Sequence, residues 1–317
     1  MSIRIRRWFG WVLPFLGGVA ALITAVSAFF ARYLIAPPRQ RQWCVPTDLG
    51  LDYEEVEFPA RDGVRLSGWF IPAAAQAARG GATIALIHGW GWNRLGAAAE
   101  GAQAALLGAR PVALLRLARA LHSAGYHVLT FDLRNHGLSA AARPVAFGQA
   151  EAQDLLGALA YLDGRADVDS QRIGAIGFSM GANTVLYALP QTDLMKAAVA
   201  VQPGSGDVFA ARFMGMRLGP LSRLVLPLTE MIYRLAGGPR FGALQPGFAA
   251  AGAGAAPVLY VQGRGDPWGS LADVARMAAV TPNAVDPLYV EASHRYAGYQ
   301  YVTDHPQALC AFLERHL

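Results

Sequence analysis

The chain has 317 residues, 54% hydrophobic and 15% charged, enough for a sizeable core and too apolar for wholesale disorder. Its net charge of +5 is nearly all arginine, with Lys196 the single lysine. The arginines are scattered rather than gathered on one face, so the pI of 9.4 reads as a solvated surface, not a nucleic-acid footprint.

No charged residue occurs from Trp8 to Ala31, and the mean hydropathy is +0.27. At about 1.5 Å per residue that stretch reaches roughly 36 Å as a helix, enough to cross about 30 Å of hydrocarbon. Arg4, Arg6, Arg7, Trp8 and Trp11 mark one interface, and Arg32 with Tyr33 the other. The segment reads as a membrane anchor over residues 1–36. Its rivals are a signal peptide cleaved after Val26-Ser27-Ala28 and a buried helix, the latter rare at this length without a polar face. A slight excess of positive charge before the helix orients the N-terminus to the cytoplasm and the bulk of the chain outside. Pro37-Pro38 ends the helix and opens a polar linker, 37–50. Cys44 and Cys310, the only cysteines, exclude a disulfide scaffold and a cysteine-based zinc motif; one bridge between them is open in an oxidising compartment.

Residues 51–317 read as one domain. Tyr53–Phe58 and Val64–Ile71 alternate about an Asp62-Gly63 turn, a β-hairpin. After an Ala/Gly-rich loop, Ala82–His88 is a short apolar run suited to a strand buried on both faces. The spacing then predicts helix Pro111–Ala124, strand His127–Asp132, helix Gln149–Asp163, strand Arg172–Phe178, helix Met180–Leu189 and strand Ala197–Gln202. Strands alternating with helices imply an α/β fold with a doubly wound, mostly parallel sheet. The alternation lapses over 203–256, where Leu- and Met-rich helical stretches, notably Leu221–Leu235, suggest a lid closed by a flexible Gly247–Ala256. Strand Val258–Gln262, helix Ser270–Val280, strand Pro287–Glu291 and helix Pro306–His316 complete the pattern.

Within this frame Gly177-Phe178-Ser179-Met180-Gly181 is a Gly-x-Ser-x-Gly motif. The composition alone yields about 0.13 such copies, so its position decides its meaning. Here a strand precedes Ser179 and a helix follows, as in a nucleophile elbow. A serine hydroxyl needs a base oriented by an acid. His294, just after the last strand, is the expected base, with His305 the fallback. Asp266, in the turn after Val258–Gln262, is the expected acid, with Asp207 the rival. The order Ser179…Asp266…His294 suits this architecture. The main-chain N–H groups of Met180 and Trp90, the latter in His88-Gly89-Trp90-Gly91-Trp92, are the expected oxyanion donors. No cofactor or metal is indicated: the chain has no His-Glu-x-x-His and no phosphate-binding glycine loop before a helix apart from the elbow.

Together these motifs resemble the α/β-hydrolase superfamily, from about Asp52 to the C-terminus, within it the BEM46-like, membrane-anchored and serine aminopeptidase-like hydrolases. The resemblance implies that Phe131–Ser139 matches the family's Asp-x-Arg-Gly-His-Gly-x-Ser loop, which shapes the site, so His136 is not catalytic. The sequence departs from that pattern at Asn135 and by an Ala-rich insertion, Leu95–Arg110. The expected activity is hydrolysis of a carboxylic ester or thioester, with a small lipophilic acyl substrate. The alternatives are a peptidase or acyltransferase on the same residues, and a non-catalytic, membrane-tethered binding protein.

Overall fold

The computed structural model describes residues 3–74, 79–100, 104 and 108–317, with side chains from Pro14 onward. The interface residues expected at Arg4, Arg6, Arg7, Trp8 and Trp11 therefore lie outside the described side chains, and parts of the two Ala-rich loops lie outside the described residues.

The hairpin forms as β1 (Glu54–Pro59) and β2 (Arg65–Ile71), antiparallel. β2 joins β6 (His127–Phe131) antiparallel, and from there the sheet is parallel through β3 (Thr83–Ile87), β7 (Ile173–Phe178), β8 (Met195–Val201), β9 (Val258–Gly263) and β10 (Leu288–Val290). The eight-stranded order is β1-β2-β6-β3-β7-β8-β9-β10. A doubly wound sheet reverses its winding at its centre, here between β3 and β7, and ligands bind beyond the carboxyl ends of the strands there. A separate two-stranded ribbon, β4 (Gly96–Ala97) with β5 (Val112–Ala113), staples the ends of the inserted loop.

Period-two alternation sorts the strand side chains into two cores. Ala85, Ile87, Leu129, Phe131, Ala175 and Ala198 face α3 (Ala152–Asp163) and α4 (Met180–Ala188). Ile84, Leu86, Val128, Ile176, Phe178 and Val199 face α2 (Leu114–Ser123), α9 (Arg295–Asp304) and α10 (Gln307–His316). Most of these are wholly shielded, each large aliphatic contributing about 1.5–3 kcal/mol of transfer free energy.

Three expectations are corrected. The helix expected from Pro111 begins at Leu114, because Val112-Ala113 pair with β4. The flexible stretch expected over 247–256 carries the short helix α7 (Pro246–Ala250), with Ala250 and Ala253 buried. The region after β10, given no element in the sequence reading, is helix α9.

The segment expected as a lid contains α5 (Gly206–Leu218) and α6 (Ser222–Leu235), and α8 (Leu271–Val280) follows β9. α1 (Ile3–Ile35) lies along α6: Ser27 Oγ donates to Val225 O at 3.3 Å, and Thr229 Oγ1 donates to Ser27 O at 3.3 Å. Its segment Pro14–Ile35 is long and apolar enough to cross a membrane. The segment expected as a linker is strapped to the domain. Arg39 Nη1 donates to Gly137 O at 2.8 Å and Ser139 O at 2.7 Å, and Gln40 Nε2 donates to Gly91 O at 2.6 Å.

Candidate active site

β7 ends at Phe178 and α4 begins at Met180, leaving Ser179 as the whole of the turn. Its φ of 53° and ψ of −113° are rare for a residue with a side chain and cost about 1–3 kcal/mol, which the surroundings must offset. Two glycines permit the turn. A Cβ on Gly177 would stand 2.1 Å from Gly181 O, and one on Gly181 would stand 2.4 Å from Ile87 O. Ser179 N donates to Val201 O at 2.9 Å, fixing the turn between β7 and β8. The helix then starts directly beneath the hydroxyl with its N–H groups unpaired.

The loop after β3 supplies the facing wall. Two buried histidines hold it and neither reaches Ser179. His88 Nε2 accepts from Leu133 N at 3.0 Å, and His136 Nε2 accepts from Gly91 N at 3.2 Å. Burial lowers both pKa values, that of His136 to about 3 with help from its neighbour His88, so both are neutral and act as fixed acceptors. Asn135 stands where the family pattern has glycine. Its φ is +69°, and its side chain clamps Ala142 through Nδ2 to Ala142 O at 3.0 Å and Oδ1 from Ala142 N at 2.8 Å. Asparagine is the common non-glycine occupant of that left-handed conformation, so the departure preserves the loop. Among the described residues the Trp90 and Met180 N–H groups donate to no loop or side-chain acceptor. Both residues line the cavity with Ser179.

Asp266 follows β9 in the expected turn and is buried. Its Oδ1 accepts from Trp268 N at 2.9 Å, and its Oδ2 accepts from Gln262 Nε2 at 3.2 Å. The group between Asp266 and Ser179 is not an imidazole. Arg295 Nη1 donates to Asp266 Oδ2 at 2.6 Å, and Arg295 Nη2 donates to Ser179 Oγ at 2.8 Å. Burial alone would lower the guanidinium pKa; Asp266, with Tyr299 and Tyr296, more than offsets it and leaves it raised. A guanidinium has donors only, so it cannot take the serine's proton. His294, expected beside Ser179, is the N-cap of α9, its Nδ1 accepting from Ala297 N at 2.9 Å. That corrects its expected position: the structure brings Ser179 and Asp266 together through Arg295 and leaves His294 one residue outside. Burial, then Arg110, lowers the pKa of His294.

The alternates are elsewhere. Asp207 accepts from Gln245 Nε2 at 2.9 Å, and His305 caps the far end of α9 beside Tyr301. Arg295 is the site residue that sequence reasoning missed. The signal was a helical period: Arg295, Tyr296, Tyr299, Val302 and Thr303 form one buried face.

Ser179 opens into a cavity of about 380 Å³. Trp90, Phe147, Phe209, Phe213 and Trp268 line it, and so do Phe29, Phe30, Tyr33 and Leu34 of α1. It is an apolar site with few polar groups, at the small end of the range for ligand pockets.

Residues 84–218 match the family model for the alpha/beta hydrolase fold. Among curated proteins, the chain is 32% identical over 184 residues to an uncharacterized Mycobacterium tuberculosis protein, Rv2307c, covering 57% of this chain and 56% of that one. It is 31% identical over 141 residues to the uncharacterized protein YfhR of Escherichia coli, covering 44% and 43%. The chain thus spans about half the length of the curated relatives it matches. Among solved structures, the esterase Pf2001 of Pyrococcus furiosus superposes with a TM-score of 0.67 at 25% identity, over 89% of this chain and 99% of that one. The acylaminoacyl peptidase of Pyrococcus horikoshii superposes at 0.59 and 20% identity, over 84% and 42%, a likeness of fold alone.

Proposed function

The chain belongs to the α/β-hydrolase superfamily, and on that premise we propose that it is a serine hydrolase cleaving carboxylic esters or thioesters with lipophilic acyl groups. The observation that carries this is the strained turn at Ser179, which sets a hydroxyl over a helix N-terminus at the floor of an apolar cavity. A strained residue at such a place is stabilised by its neighbours only at a cost, and a packing turn has no use for it.

In the proposed reaction Ser179 Oγ attacks the acyl carbon while its proton passes to the imidazole of His294. The oxyanion takes hydrogen bonds from the Met180 and Trp90 N–H groups. Collapse breaks the acyl–oxygen or acyl–sulfur bond, and the leaving group takes the proton from the imidazolium. Water then gives a proton to the imidazole and attacks the acyl-serine, releasing the acid and restoring the hydroxyl. For this the N-terminus of α9 must turn so that His294 leaves its cap and Arg295 yields its place beside Asp266. The ion pair between Arg295 and Asp266 is then the resting arrangement. Peptidase or acyltransferase activity would use the same residues and is separated by product analysis with amides and competing alcohols.

The N-terminal helix is proposed as a retained anchor with the catalytic domain outside the cytoplasm. Support for retention comes from Ser27 and Ala31, both wholly shielded against the domain, since cleavage after Ala28 would strip away the first of these contacts.

Fluorophosphonate labelling tests the assignment: wild type should label, and Ser179→Ala should fold and not label. Undiminished labelling of the variant sinks the nucleophile. The guanidinium on Ser179 favours one second reading, a binding protein on a disabled hydrolase fold, and wild type inert to every serine-directed probe would establish it.

A further inference from the structure

The lid helix α6 carries a second apolar strip beside the face it buries. Val225, Thr229 and Tyr233 are buried against α1 and the domain. On the adjoining flank Leu221, Leu224, Met231 and Leu235 are exposed, at 57%, 57%, 51% and 82%, with Leu228 half-buried between them. Spacings of three and four residues align them as one stripe along the whole helix. Arg223 and Arg234, exposed near its two ends, can carry their heads to a polar boundary while their stems lie along apolar surface.

α1 packs beside α6 and also leaves large apolar side chains exposed, Phe15, Leu16, Leu22 and Phe29. α1 is also a wall of the cavity that holds Ser179. From α1 inward runs a chain of rings. Phe30 lies 6.2 Å from Phe213, Phe213 lies 4.9 Å from Trp268, and Trp268 lies 5.4 Å from the Arg295 guanidinium carbon that faces Ser179. The cavity is therefore walled by α1, among the described residues the one helix long enough to cross a bilayer, and by Leu226 and Thr229 of α6, which carries its own exposed apolar strip.

We infer that the exposed strip of α6 contacts lipid beside α1, and that the site draws its substrate from the membrane between them. The substrate class is a long-chain acyl ester dissolved in the leaflet from which α1 emerges. Its acyl chain passes Phe29, Phe30 and Tyr33, and its carbonyl comes to Ser179. The occupant of the stripe is lipid rather than a second copy of the chain, because α6 packs directly against a helix whose length already matches hydrocarbon thickness. The substrate half of this inference rests on the proposed role of Ser179; the membrane half does not.

The test uses the full chain in dioleoylphosphatidylcholine vesicles. With Cys44 and Cys310 replaced by serine, an environment-sensitive NBD label is placed at Leu224→Cys, Met231→Cys or the exposed control Gln171→Cys. Emission should shift to the blue at 224 and 231 and stay water-like at 171. Water-like emission at 224 and 231 overturns the membrane half. A blue shift that appears only as protein concentration rises assigns the stripe to a second copy and also overturns it. The double variant Leu224→Glu, Met231→Glu should cleave vesicle-embedded p-nitrophenyl palmitate about tenfold more slowly, with p-nitrophenyl butyrate cleavage and fluorophosphonate labelling unchanged. Equal loss on both esters, or loss on neither, overturns delivery from the membrane. Wild type that neither labels nor cleaves either ester instead fails the proposed function, while the emission result stands independently.

Discussion

Arg295 is the residue that joins Ser179 to Asp266. It donates to Asp266 and to Ser179 at once, from a fully shielded guanidinium whose charge the carboxylate holds in place. Removing it leaves a buried carboxylate without its partner, so Arg295→Ala should lose about 3–5 kcal/mol of stability. If the guanidinium also bars the base, the same variant should label with fluorophosphonate faster than wild type. His294→Ala should label roughly 10²–10⁴-fold more slowly, the usual worth of a general base. Because burial and Arg110 lower the pKa of His294, its imidazole stays neutral down to below about pH 6.5. The labelling rate should therefore hold at neutral pH and fall only on acidification through that lowered pKa. A His294→Ala variant that labels at the wild-type rate removes His294 from the mechanism. Ser179 and Asp266 were readable because each follows a strand in a turn whose glycines announce it. Arg295 was not, since its neighbour His294 carries the residue type that the chemistry calls for. Which of two adjacent side chains faces inward is set by where a helix starts, not by either residue alone.

At the scale of elements, the strands were legible because each is a short apolar run closed by a turn, and both alternation and burial follow from that. The helix α9 was not, because Tyr, Gly, Val and Thr give it little intrinsic preference and its stability comes from the face it buries against β9 and α2. The relation of α1 to the rest was likewise hidden. A uniformly apolar helix carries no mark of the side that will meet protein. Ser27 and Ala31, small enough for close approach to α6, are visible as a contact only once the partner is known. This packing predicts a sharp asymmetry along α1. Ala31→Glu buries an unpaired carboxylate at the contact and should cost about 3 kcal/mol, lowering the thermal midpoint in detergent by roughly 6–12 °C. Leu22→Gln, on the exposed side, should leave the midpoint unchanged. Equal effects from the two substitutions would mean that α1 is a tether with no part in the domain.

Taken whole, the molecule places its site where two loops meet over the carboxyl ends of β3 and β7, and two neutral histidines tie one of those loops down. This arrangement sets the pH range over which the fold is secure. His136 has a pKa of about 3 in the fold and about 6.5 when unfolded, so between those values the unfolded chain binds more protons than the native one. Stability must then fall as pH drops through that window, by up to about 1.4 kcal/mol per pH unit from this group, and His88 adds in the same direction. Glu151 and Asp154 oppose them: burial raises both pKa values, that of Asp154 to about 7, so their protonation favours the folded form on acidification. Four imidazoles with lowered pKa values, His88, His127, His136 and His294, against these two carboxyls leave a net loss. Urea midpoints should decline steadily from about pH 6.5 downward, before surface carboxylates near their ordinary pKa of about 4 take protons. His136→Gln keeps an acceptor for the Gly91 N–H and has no proton to bind. It should flatten the decline while lowering stability at neutral pH, because its amide fills the site less well. An unchanged slope in that variant would show that acid sensitivity arises elsewhere.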